Sequence, residues 1–410
     1  LTIDMSFVVT FFLFLVALIS TLMSFDMYRS ERKAAAPPQA IGLALGGMSI
    51  WATIWIIITG TVLFFLIPRV GTGYFRRADS STLLVSGFTE SVHLGDIGQM
   101  KRSPAVVMHA RQISGTPFAV LKWRGISLDT FDGRSWYKSN SRRFPVRRSP
   151  DGQYWLQPVD SPTNLVEYEI LLEPLATTTL FGPHQLRTLW GRLDDIEMDA
   201  DESVFRRLQT LGRLQYRVLS EVQNRTHRVL TSAREASVPP EIGKKYVQLP
   251  LDLDPRITQL ALEITAKGNS TIDKASLVET YLKRNYTYTL NLAWNAGKQP
   301  IATFLFDAKS GHCEYFASSM AILLRAAGIP TRVVNGFLMG EYNPVGGDYI
   351  IRQSDAHSWI EVYVPGQGWL EFDPTPPDPN HREVDLAMQI SQYADAMQLF
   401  WNSYVLIYDT

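Results

Sequence analysis

Two stretches near the N-terminus carry no charged side chain: Met5 to Phe25, rich in Phe, Leu and Val, and Ile41 to Ile67, which holds Trp51 and Trp55 and is closed by Pro68-Arg69. At about 1.5 Å per helical residue, each crosses the ~30 Å of a bilayer's hydrocarbon, so the pattern predicts two transmembrane helices. A cleaved signal peptide fits less well, because two spans follow each other and the chain does not begin with Met. The chain is therefore expected to be a piece of a longer membrane protein. Basic residues do not orient it: Arg29, Arg32 and Lys33 between the spans balance Arg69, Arg76 and Arg77 after the second.

From about Val70 to Thr226 the pattern changes to short alternating runs, such as Ala105–Ala110, Phe118–Trp123, Val166–Leu172 and Leu214–Val218. Asp132-Gly133 and Asp151-Gly152 sit between β-prone runs as hairpin signals, which predicts an antiparallel sandwich or barrel. Arg142, Arg143, Arg147 and Arg148 form a basic cluster there, read as a solvated hairpin edge or a contact with anionic lipid headgroups. After His227 the period becomes helical. Asp254-Pro255 opens one helix with Ile257, Leu260, Ala261 and Ile264 on a side, a second runs from about Lys274 to Lys283, and Tyr286–Leu290 reads as a strand. The expected organisation is a membrane segment 1–69, a β-rich domain 70–230, a catalytic core 231–382, and a C-terminal helix 383–410.

Composition narrows the chemistry. In 410 residues, 39 Lys+Arg against 40 Asp+Glu leave a net charge of −1, so no basic field points to nucleic acid. A single cysteine excludes an intramolecular disulfide framework and any multi-thiolate zinc site.

That cysteine is the focus. Ser310-Gly311-His312-Cys313 leads into a strongly helical run in which Phe316, Met320, Leu323, Leu324 and Ala327 share a face, with Gly328 as a C-terminal stop. Cys313 thus lies in a first helical turn, where free N–H groups and the helix dipole favour a thiolate. Its alternative is a small buried hydrophobe. A thiol nucleophile needs a base and a group to orient that base. Asp355 to Val364 reads as a strand with His357, Trp359, Glu361 and Tyr363 on one face; Pro365-Gly366-Gln367-Gly368 turns; and Trp369 to Asp373 returns. His357 and Asp373 are the candidate base and orienter. A tight turn at Gly366-Gln367 would set His357 opposite Pro376 and leave Asp373 roughly 10 Å along the strand, so closing the set needs a longer connection, a bulge or a shifted register. His312 reads as a helix cap or surface group, Trp359 as core packing, and Asp355 as badly placed to hold His357. An oxyanion hole is expected from the Cys313 N–H plus one donor from Tyr286, Tyr288 or Trp294. No metal site is apparent.

Three blocks in order resemble the transglutaminase-like superfamily: Gly311 to Ala317 with Leu324 to Phe337, Asp355 to Tyr363, and Gly368 to Thr375. With the membrane spans and Leu128 to Tyr137, the whole chain resembles bacterial inner-membrane proteins that carry several N-terminal spans and an exported transglutaminase core. Such proteins usually have one more span after the core, and Leu399 to Tyr408 looks like its approach.

The resemblance implies an α+β, papain-like transglutaminase core, with the nucleophile helix against an antiparallel sheet, preceded by a β-rich sandwich-like domain and two transmembrane helices. It implies Cys313 as nucleophile, His357 as base and Asp373 as orienter, the last two in contact on neighbouring strands, with no cofactor. It also implies soluble domains in the periplasm, or outside the cell where there is no outer membrane. The expected activity is a protein-glutamine gamma-glutamyltransferase, with a glutamine-containing acyl donor, a lysine-type primary amine acceptor, and the lipid bilayer as its surroundings. A deamidase or cysteine protease using the same three residues, and a non-catalytic envelope scaffold, are the alternatives.

Overall fold

The computed structural model describes residues 88–377, apart from 116–120, 160–163, 209–211, 223–236, 293 and 295–296, together with Trp51, Trp55 and Ile58. The chain divides into two compact units, Thr82–Asp385 and a second made of Leu1–Ser81 with Leu386–Thr410. Of the second only Trp51, Trp55 and Ile58 are described, and they are helical. The first expected span, the second apart from Trp51, Trp55 and Ile58, and the segment 383–410 lie outside the described residues, among which no helix is long and apolar enough to cross a membrane.

Four helices frame the site: α1 (Asp96–Met100), α2 (Pro255–Thr265), α3 (Thr271–Asn285) and α4 (Cys313–Ala326). Their ends follow from local chemistry. Asp254 accepts the Arg256 N–H ahead of Pro255, and Ser270 with Asp273 forms a reciprocal capping box on α3. Helix α4 is apolar nearly all round and buried from Cys313 to Arg325, as a helix at the centre of a fold must be. It stops where Gly328 takes a φ of 77° and Ile329 N–H reaches back to the Leu324 carbonyl.

Twelve strands form the two large sheets: β1 (Val106–Gly115), β2 (Lys122–Leu128), β3 (Gln153–Trp155), β4 (Leu165–Leu172), β5 (Gly182–Pro183), β6 (Gln185–Gly191), β7 (Leu214–Glu221), β8 (Thr331–Leu338), β9 (Glu341–Asn343), β10 (Asp348–Arg352), β11 (Ala356–Val364) and β12 (Gly368–Phe372). A seven-stranded sheet has the order β9-β10-β1-β4-β7-β6-β3, and a five-stranded sheet the order β12-β11-β8-β2-β5; every neighbouring pair is antiparallel. The sequence expectation divides the chain at residue 230, and both sheets cross that division. Strands β2 and β5 from before it complete the sheet that carries His357, and the β9–β10 hairpin from after it extends the other.

Buried charge ties the exchanged strands together. Arg124 on β2 and Arg332 on β8 both hold Glu361 on β11, at 3.0 and 2.6 Å. Arg325, near the end of α4, donates to the main-chain oxygens of Thr331, Gln248 and Asp129 at 2.6–3.0 Å. A guanidinium serving three carbonyls is hard to replace, because its loss leaves buried acceptors without their donor. Arg325→Met is expected to cost about 3 kcal/mol, read as a lowered midpoint in chemical denaturation; an unchanged midpoint would deny Arg325 this role.

Candidate active site

Cys313 is the first residue of α4 and is fully buried. His357, the second residue of β11, is 4% exposed and places Nε2 2.8 Å from Oδ2 of Asp373. With Nε2 engaged there, Nδ1 is the ring nitrogen left for the sulfur, and both His357 and His312 are close enough to the thiol to stabilise its thiolate. The structure therefore brings Cys313, His357 and Asp373 into one chain of contacts.

The hairpin shows how. Strand β11 pairs with β12 as Val364↔Gly368 through Ile360↔Phe372, so three residues, Pro365 to Gln367, make the turn. Gly366 and Gly368 take the positive φ values, 77° and 80°, that the turn requires. Relative to a two-residue turn this connection is one residue longer, and a one-residue shift reverses which face a strand residue occupies. Asp373 moves onto the face of His357 as its diagonal neighbour, within reach of a long side chain. Pairing stops at Phe372, and Asp373 is then fixed locally: its N–H donates to Glu279 Oε1 at 3.3 Å, and Thr375 N–H donates to its Oδ1 at 3.1 Å.

Electrostatics favour the ion-pair state. Burial alone would push the Cys313 thiol up, but hydrogen bonds with His312 and His357, the His357 charge and Lys101 hold it well below a free thiol. Burial disfavours the His357 imidazolium, and Asp373 overrides this to raise it to about 9. Asp373 in turn is kept well below the usual carboxylate range, against its burial, by His357 and Lys122.

Several contributing residues escape sequence reading. His312 stands at the N-cap position of α4, but its side chain makes no capping hydrogen bond and is only 2% exposed, its ring held beside the thiol. Its Nδ1 lies 3.4 Å from Glu314 Oε2, and that oxygen accepts from Gly95 N–H at 2.9 Å and Gly98 N–H at 3.3 Å. A Cβ on Gly98 would come within 2.6 Å of the His312 ring, so glycine is needed for α1 to lie on it. Lys101, at the end of α1, donates to the carbonyls of Ser354 and Ala356 beside His357, both at 3.0 Å. Lys122 on β2 contacts Asp373 directly at 3.0 Å. His312 and Glu314, on either side of the nucleophile, had a local signal; Gly98, Lys101 and Lys122 are brought in by tertiary folding.

Two proposed oxyanion donors are committed elsewhere. Tyr286 Oη donates to the Leu305 carbonyl at 3.0 Å, and Trp294 Nε1 to the Ser310 carbonyl at 2.9 Å. Trp359 is core, as read, and its ring stacks on that of His357 at 6.2 Å between centroids. Asp355 accepts the Arg352 N–H at 2.8 Å in a turn ahead of β11. Among the described residues no group of three or more His, Cys, Asp or Glu side chains is arranged to hold a metal ion.

Burial raises the Glu314 carboxyl to about 7 from an ordinary 4.5, with the His312 charge opposing. A carboxyl that binds its proton more tightly in the fold than in the unfolded chain costs stability as pH rises from the lower value through the higher. Glu314→Gln, which keeps an acceptor for the α1 N–H groups, is expected to gain stability relative to the parent between pH 5 and 8, by at most about 3 kcal/mol. Denaturation of both proteins at the two pH values checks this; parallel pH dependence would contradict it.

Residues 258–374 match the transglutaminase-like superfamily core, and residues 2–227 match the TgpA N-terminal domain. A protein-glutamine gamma-glutamyltransferase of Pseudomonas aeruginosa is 33% identical over 316 residues, 77% of this chain and 44% of that protein. The uncharacterized protein YebA of Bacillus subtilis is 43% identical over 138 residues, 32% of this chain and 19% of that one. The chain thus spans less than half the length of these two relatives. The crystal structure of the periplasmic domain of TgpA from Pseudomonas aeruginosa superimposes with a TM-score of 0.58 at 31% identity, covering 71% of this chain and 94% of that one. Both matched regions supply strands to the sheet that carries His357, and the chain belongs to the transglutaminase-like superfamily, as a member with the TgpA N-terminal domain ahead of its core.

Proposed function

We propose that this chain is the catalytic part of a membrane-anchored protein-glutamine gamma-glutamyltransferase acting through Cys313, His357 and Asp373. The observation that carries the reading is the contact series from the Cys313 thiol to His357 and on to Asp373 at 2.8 Å, inside a fold of this superfamily. The thiolate attacks the carboxamide carbon of a glutamine side chain, and the oxyanion forms beside the start of α4, where the Cys313 N–H is one donor. As the tetrahedral intermediate collapses, the His357 imidazolium gives its proton to the leaving nitrogen, and ammonia departs from a thioester. A primary amine then attacks; neutral His357 takes its proton, the thiolate leaves, and an isopeptide bond remains. Asp373 holds the ring so that Nδ1 faces sulfur in both halves.

The apolar runs 5–25 and 41–67 support anchoring in the bacterial inner membrane, and the segment 383–410 is read as a return to it. Similarity to a periplasmic domain supports soluble domains on that side of the membrane. A β-rich region up to residue 230 and a core of 231–382 remain the working division of the soluble part, joined through shared sheets.

The test is incorporation of a labelled primary amine into a glutamine-rich protein by the intact chain, with ammonia followed in the same tubes. Incorporation matched by ammonia release is expected. Ammonia without incorporation would instead make water the acceptor and the protein a deamidase, and peptide cleavage without ammonia would make it a protease.

A further inference from the structure

Among the described residues, Lys122 is the one charged group from the N-terminal half that is paired with the aspartate of this site. It lies at the start of β2, opposite Leu338 on β8, and its side chain is 8% exposed. Its Nζ is 3.0 Å from Oδ2 of Asp373, the same oxygen that meets His357 Nε2 at 2.8 Å, and 2.5 Å from Oε1 of Glu371. It also sits 5.4 Å above the Trp359 ring, which stacks on His357. The superfamily core match begins at residue 258, so this contact comes from outside it.

We propose that Lys122 is a positioning residue for Asp373: by sharing Oδ2 with His357 it limits how strongly the imidazolium is held, and so makes the catalytic core dependent on a strand of the preceding domain. The inference rests on the catalytic reading of Cys313, His357 and Asp373 given above. Its physical basis is competition. One carboxylate oxygen facing two cations divides its field between them, and a buried lysine is held there only by carboxylates that repay its desolvation. Two carboxylates, Glu371 and Asp373, do so here.

The other charged and titratable groups around the pair set the background. From α4 come Cys313 and Glu314, with His312 just ahead of them. From α3 comes Glu279, which accepts the Asp373 N–H and is paired with Lys283 at 3.1 Å. From α1 comes Lys101, and His184 Nδ1 stands 3.6 Å from Glu371 Oε2. None of these cations contacts Oδ2 of Asp373 in the way Lys122 does, so changes at Lys122 and Glu371 are expected to move His357 in opposite directions. Lys122→Met leaves Asp373 wholly to His357, and the imidazolium then persists to higher pH. Glu371→Gln leaves Lys122 more fully on Asp373, and the imidazolium is lost at lower pH.

The experiment is the rate of Cys313 alkylation by iodoacetamide across pH 5 to 11, on the intact chain in detergent, because it reads the thiolate–imidazolium pair without any substrate. The parent is expected to show an upper step reporting His357. That step should move up by about one pH unit in Lys122→Met and down in Glu371→Gln, while Lys122→Arg stays near the parent. If Lys122→Met does not fold, Glu371→Gln still carries the test. An upper step present in the parent but unmoved in Glu371→Gln, or in a folded Lys122→Met, would overturn the role of Lys122 alone. The absence of that step in the parent would overturn the catalytic reading and the role of Lys122 together.

Discussion

Cys313→Ala is expected to abolish amine incorporation, a loss of at least about 10⁴-fold, while the fold survives. Both halves of the expectation follow from where the residue sits. Cys313 begins a helix whose every residue through Arg325 is buried, so the helix is held by its apolar flanks rather than by one sulfur. Alanine is the best helix former and leaves a space no larger than a single atom. The thiol's apolar packing is therefore replaceable. Its chemistry is not, because no other cysteine exists in the chain to form a thioester. Amine incorporation and thermal melting of the variant, side by side, are the check. Residual incorporation near the parent rate would mean that another group is the nucleophile.

The second large effect is expected at Asp373→Asn: a fall of about 10³- to 10⁴-fold in kcat/KM, with the alkaline limb moved down. Asparagine can keep a hydrogen bond to His357 Nε2 but not the charge. It also offers its NH₂ group as readily as its oxygen, which permits the wrong ring orientation. The sign of the pH effect comes from the cause of the shift. Burial lowers the proton affinity of His357, and the Asp373 charge raises it to about 9 from an ordinary 6.5. Without that charge the imidazolium needed to protonate the leaving nitrogen is lost near or below neutrality, so activity should survive best on the acid side. A pH profile of kcat/KM decides the point. An alkaline limb that stays near 9 in the variant would deny Asp373 its electrostatic role and leave it only a place in the packing.

Much of this site was legible along the chain because its elements are local. The helix from Cys313 to Ala326, its glycine stop, and the strand with His357, Trp359 and Glu361 on one face all follow from short-range periodicity. The distance between His357 and Asp373 was not legible, because it turns on one residue in a loop. Pro365, Gly366 and Gln367 all lie in the turn, and that count, invisible in the hydrophobic pattern, carries Asp373 to the right face. The exchange of β2, β5 and the β9–β10 hairpin between sheets was likewise hidden, since alternation shows that a segment is a strand but not which strand it pairs with. The burial of the His312 ring at its N-cap position was hidden for a related reason. A histidine ahead of a helix reads as a cap or surface group, and nothing near it in sequence shows that Gly98, more than two hundred residues away, makes a pocket for its ring. Lys122 and Lys101 carry no mark in sequence that separates them from other lysines.

The central claim is that Cys313 attacks a glutamine carboxamide and expels ammonia, and the thioester is its most direct witness. The intact chain would be mixed with a glutamine-containing peptide without added amine, quenched in acid within seconds, digested, and analysed by mass spectrometry. The account predicts an adduct on the peptide bearing Cys313, with the mass of the substrate peptide less ammonia, removed by a later pulse of primary amine. An adduct on any other residue, or amine incorporation proceeding with no acyl group ever found on Cys313, would contradict it.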